Sequence, residues 1–107
     1  MDKQKDKKNC KGFDEVVEMI AGKWKLKIIR QLIYTDKIRF NELMRQIEGI
    51  TQTMLTKQLR ELETDGLVKR KVYAEVPPRV EYSSTKATKN LKPMFEAMYS
   101  WANKNLV

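Results

Sequence analysis

Gln52, Thr53, Thr56, Lys57, Arg60 and Thr64 follow one another at the spacings of a helix surface. They combine an amide, short hydroxyls and long cations, groups that hydrogen-bond base edges and phosphate oxygens. The row holds no pair suited to proton transfer or nucleophilic attack. Residues for covalent chemistry are scarce elsewhere too. Among 107 residues there is no histidine, the commonest general base and metal ligand. The one cysteine, Cys10, excludes an intrachain disulfide and a cysteine-based zinc site within one chain. Neither a glycine-rich phosphate loop nor a serine-centred elbow is present. An enzyme is therefore not expected, and no metal or cofactor is.

That row needs a helix to present it. Thr51 is placed to cap one that runs to about Asp65 and closes at Gly66. Advancing about 100° per residue puts Leu59 and Leu62 within roughly 40° of Leu55, a buried stripe. Thr53, Thr56, Lys57, Arg60 and Thr64 fall on the opposite face, with Gln52 near the N-terminal end. A helix of this length, roughly 20 Å, fits a DNA major groove.

The surrounding elements follow from period and punctuation. Phe13, Val16, Val17 and Ile20 predict a short first helix, ended by Gly22. A second, largely buried helix runs from about Lys23 to Tyr34, and Ile38-Arg39-Phe40 reads as a very short strand. Asn41 is the expected cap of a short helix holding Leu43, Met44 and Ile47, broken at Glu48-Gly49-Ile50. This helix and the Thr51–Asp65 helix make a helix-turn-helix. Leu67–Tyr73 and Arg79–Ser83 alternate as half-buried strands of a hairpin whose tip is stiffened by Pro77-Pro78. Leu91, Met94, Phe95, Met98 and Trp101 recur at helical spacing, with Pro93 starting or kinking that helix. The expected fold is mainly α with a small β-hairpin: a winged helix-turn-helix with an added C-terminal dimerisation helix.

Charge agrees with the row. The net charge of +8 asks for a polyanion, nucleic acid first and an anionic membrane surface second. Lys69, Arg70, Lys71 and Arg79 make the hairpin basic, and its proline tip suits a wing lying along the backbone or in the minor groove. No apolar run is long enough for a signal peptide or a membrane span, so a cytoplasmic protein with no membrane partner is expected. Residues 1–12 read as a flexible basic arm and 13–107 as one domain. Two other classes remain open: a winged-helix module that binds protein, and a basic domain that binds nucleic acid without sequence preference.

Particular motifs narrow this further. They are Gly22-Lys23-Trp24-Lys25, Arg39-Phe40-Asn41-Glu42-Leu43, Met54-Leu55-Thr56, Leu59-Arg60-Glu61-Leu62-Glu63, Asp65-Gly66-Leu67-Val68 and Val76-Pro77-Pro78-Arg79-Val80-Glu81-Tyr82-Ser83. From Cys10 onward the chain resembles the HxlR family of regulators, relatives of the MarR winged-helix group. It departs from the family pattern at Thr88, where glycine is usual, and at Ser84, where leucine is more typical. The resemblance implies a homodimer that regulates transcription by binding double-stranded DNA. The DNA-contacting set is then Arg39, Thr51, Gln52, Thr53, Thr56, Lys57, Arg60, Lys71, Pro77 and Arg79. The expected interface comes from the terminal helices: Phe13 and Val17 with Leu91, Met94, Phe95, Met98 and Trp101. A dimer implies an inverted-repeat operator. Family members that sense oxidants use a cysteine just before the first helix, which singles out Cys10; Lys8, Lys11 and a helix N-terminus would favour its thiolate.

Overall fold

The computed structural model describes residues 3–106, with side chains from Gly12 onward. Helix α1, Lys3–Ile20, starts well ahead of Phe13. The Lys-rich stretch before it contains no proline and consists largely of good helix formers. Cys10 therefore has its backbone inside α1, not ahead of it, which takes away the helix N-terminus expected beside the thiol. The Cys10 side chain, and those of the expected arm, lie outside the described residues.

Helix α2, Lys25–Ile33, buries Ile28, Ile29 and Leu32, and Trp24 occupies its N-cap position. The Trp24 ring packs on the turn at Gly49, where a Cβ would stand 3.7 Å from it and φ is +87°. Strand β1 is Ile38–Arg39 and helix α3 is Phe40–Gln46. Asn41 does not cap α3; Arg39 holds the N-cap position and no side chain caps the helix. Pairing of Ile38 with Tyr82 and Arg39 with Glu81 keeps the chain extended up to Phe40, so the helix starts there.

Helix α4 is Gln52–Thr64. Its cap is as the sequence predicts: the Met54 amide donates to Thr51 Oγ1 at 3.2 Å. At the other end the Gly66 amide donates to Glu63 O at 3.0 Å and the Leu67 amide to Leu62 O at 2.9 Å. This paired closure requires a left-handed residue, and Gly66 supplies it at φ +77°. Thr51→Ala is expected to cost about 1 kcal/mol, read as a lower midpoint in chemical denaturation, with Thr51→Ser close to wild type.

Strands β2, Val68–Tyr73, and β3, Arg79–Ser84, pair antiparallel from Val68 opposite Ser84 to Tyr73 opposite Arg79. With β1 they form a sheet of order β1-β3-β2. The half-buried alternation expected of β2 is absent. Only Val68 is buried and the strand is otherwise exposed or half-exposed, because it extends past the core as a wing. Helix α5, Lys86–Lys89, precedes α6, Lys92–Asn105, in whose first turn Pro93 lies.

One core unites these elements: Trp24, Ile28, Ile29 and Leu32 of the second-helix region, Leu43, the α4 stripe Leu55, Leu59 and Leu62, Val68, Tyr82 and Phe95. Phe95 corrects an expectation. It is only 4% exposed, filling the protomer's own core, with Leu91 and Met94 packed half-buried beside it. Tyr34 Oη donates to Glu96 Oε1 at 3.1 Å, a second tie between the C-terminal end of α2, where Tyr34 is the cap residue, and α6. Met98 and Trp101 on α6, and Phe13, Val16 and Val17 on α1, stay exposed; Trp101 is at 60% and Phe13 at 66%.

Candidate nucleic-acid interface

Burial of Leu55, Leu59 and Leu62 fixes the rotation of α4, so its other face points outward. Gln52, Thr53, Lys57 and Arg60 are exposed there, and Thr56 is half-exposed. These five side chains, with Glu61, line one shallow hollow. The hydroxyls are not equivalent. Thr56 Oγ1 donates to Gln52 O at 2.8 Å, which leaves its lone pairs for an outside donor. Thr51 Oγ1 accepts from its own helix, so its role in the structure is the cap.

Charge pairing sorts the cations. Lys57, Arg60, Arg39, Lys69, Arg70 and Lys71 have no carboxylate within ion-pair distance among the described residues. Arg79 differs. Its Nε lies 3.6 Å from Glu75 and 3.5 Å from Glu81, and its guanidinium stacks 4.0 Å from the Tyr73 ring centroid. That arginine braces the wing internally and is only partly available to a phosphate. Lys71, on the same stacked face, sits 5.0 Å from the Tyr73 ring and remains exposed.

Six of the ten expected residues line two further hollows, and Thr51, Thr53, Lys57 and Lys71 line neither. Arg39, Pro77 and Arg79 line one, between α3 and the wing tip. The other, about 490 Å³, separates α4 from the hairpin and is lined by Gln52, Thr56, Arg60, Glu63 and Arg70, among others. Phe40 and Val80 border both. Arg70 is the residue that the expected set omits. It shares a strand face with Val68 and Val72 and stands opposite Tyr82, so a cation at an inward register was its sequence signal.

A half-buried ion pair anchors the helix at the edge of this face. Lys25 Nζ lies 2.7 Å from Glu61 Oε1, with the lysine side chain 11% exposed and the carboxylate 42%. The hydrogen bond and charge of Lys25 hold the Glu61 carboxyl below its ordinary range. The pair ties α2 to α4 beside Arg60. None of the described residues forms a cluster suited to a metal ion, and no described helix is long and apolar enough to cross a membrane.

A trihelical unit with a capped, outward-facing third helix, followed by a basic hairpin, defines a winged helix-turn-helix DNA-binding protein. Residues 19–107 match the HxlR-like helix-turn-helix family, and the chain belongs to it. The HTH-type transcriptional regulator BH0655 of Halalkalibacterium halodurans is 50% identical over 93 residues, 87% of this chain and 82% of that one. The crystal structure of the HTH-type regulator ytcD superposes with a TM-score of 0.82 at 40% identity, covering 88% of this chain and 95% of that one. The redox regulator HypR in its reduced form gives a TM-score of 0.80 at 46% identity, covering 88% and 92%. The protein is a DNA-binding transcription regulator.

Proposed function

We propose that the chain works as a homodimer on an inverted-repeat operator, each α4 entering a major groove and each wing following the adjacent backbone. The observation that carries this is the outward row Gln52, Thr53, Thr56, Lys57 and Arg60, whose cations have no carboxylate within ion-pair distance among the described residues. Side chains of this kind read base edges, while Lys71 and Arg39 contribute phosphate contacts. Exposed Trp101 and Met98 on α6 and Phe13 and Val17 on α1 supply apolar surface for the second copy. Selection of genomic fragments with the purified protein tests the reading. An enriched inverted repeat supports it, and no retained DNA, or retention without preference, rejects it.

Lys71→Gln is expected to weaken all duplexes alike and to flatten the salt dependence by about one unit per lost phosphate contact. A changed sequence preference in that variant would remove Lys71 from the backbone-contacting group.

The reading includes an oxidant response through Cys10. Lys8 and Lys11 stand close to it in the sequence, cations of the kind that favour a thiolate, and HypR is a redox regulator at 46% identity. Mild oxidation with a small disulfide is expected to change operator affinity in the wild type and not in Cys10→Ser. Unchanged affinity after confirmed modification of the thiol would make Cys10 a bystander.

A further inference from the structure

Two hydroxyls from the segment before the C-terminal helix close on the exit of the recognition helix. Thr85 Oγ1 donates to Gly66 O at 2.8 Å, and Thr88 Oγ1 donates to the next carbonyl, Leu67 O. Thr88 is fully buried. Its amide donates back to Thr85 Oγ1 at 3.3 Å, which is the cap of α5. The side chains that start α5 are thus the same ones that grip the end of α4. Asn90 and Leu91 are all that separates α5 from α6, whose Phe95 is locked in the core.

A valine would fill the space of either threonine without a buried hydroxyl to satisfy. The buried donor instead satisfies a carbonyl for which the turn and loop backbone of the described residues supplies no other donor, and such a bond is costly to lose and sensitive to position. α5 cannot turn or slide against the α4 exit without breaking two bonds to adjacent peptide groups.

We propose that Thr85 and Thr88 are positioning residues that fix the C-terminal helix to the recognition helix, so that the spacing of the two DNA-reading faces in the dimer is set at this junction. The inference rests on the dimeric reading above. With α6 against the second copy, the core around Phe95 holds α6 in place, and the directional link from partner to DNA runs through α6, α5, two hydroxyls and Gly66-Leu67. A shift there moves one recognition helix relative to the other without touching a DNA-facing side chain.

The test uses the full chain and the inverted-repeat duplex recovered by genomic selection, a series with the spacer lengthened stepwise, and a duplex with one half-site. Wild type is expected to lose at least about tenfold in affinity when the spacer grows by about five base pairs, half a helical turn. Thr88→Val and Thr85→Val are expected to bind the single half-site within about twofold of wild type. On the correctly spaced duplex they weaken about tenfold, with a broadened spacing profile. Thr88→Ser, which keeps the donor, restores the wild-type profile. Half-exposed Thr85 provides a variant should Thr88→Val not fold, as judged by circular dichroism. Folded valine variants with the wild-type spacing profile overturn the proposal. So does an equal loss on half-site and full site, which places the defect in α4 itself. A wild type that sediments as a monomer, or that ignores spacing, removes the dimeric reading and this inference with it.

Discussion

Phe95→Ala is expected to destabilise the protomer by about 3–5 kcal/mol, the range for emptying a well-packed aromatic site. The ring is 4% exposed and belongs to the cluster that includes Ile28, Leu32 and the α4 leucines. The cavity lies in a core made of several elements, so α6, α2 and α4 lose contacts together. Denaturation at two protein concentrations separates this from an interface effect. The loss in Phe95→Ala should persist at high concentration, where any dimer is saturated. Trp101→Ala, at an exposed position, should leave protomer stability within about 0.5 kcal/mol and shift the association equilibrium. A Phe95→Ala protein as stable as wild type, but monomeric, would return the ring to the interface.

Arg60→Ala is expected to cost about 1–3 kcal/mol in operator binding and to relax preference at one position of each half-site. The guanidinium is exposed, borders both the α4 hollow and the groove toward Arg70, and has no carboxylate partner among the described residues. Its removal therefore breaks no internal ion pair, and the thermal midpoint should stay close to wild type. Its neighbour Glu61 is different: substitution there would free Lys25, 11% exposed, inside the protein. Competition binding against a library with each operator position varied is the measurement. A uniform loss across all sequences would make Arg60 a backbone contact like Lys71.

Local rules carried the sequence reading where the physics is local. The stripe Leu55, Leu59 and Leu62, the cap Thr51 and the left-handed Gly66 each depend on residues within a few positions. So did the order of helices, hairpin and C-terminal helix, which places the chain in its family. Boundaries set by distant partners were not legible. The start of α3 at Phe40 depends on the pairing of Ile38 with Tyr82, far along the chain. The lost alternation in β2 depends on where the core ends, and no strand period records that.

The amino-acid sequence by itself determined that one helix would carry a polar, cationic face opposite three leucines, since a 3.6-residue period needs no tertiary information. Only the tertiary structure decided what the shared apolar stripe of the last helix does. Phe95 and Trp101 are both aromatic and both belong to the expected stripe, at its two edges about 120° apart, and one is core while the other is surface. The same holds for the wing cations: Arg79 is committed to Glu75, Glu81 and Tyr73 while Lys71 is not. It holds for Thr88, whose hydroxyl finds Leu67 only when α5 docks beside the α4 exit. Partners distant in sequence meet through packing, and a residue's own neighbours in the chain do not specify which of them it will meet.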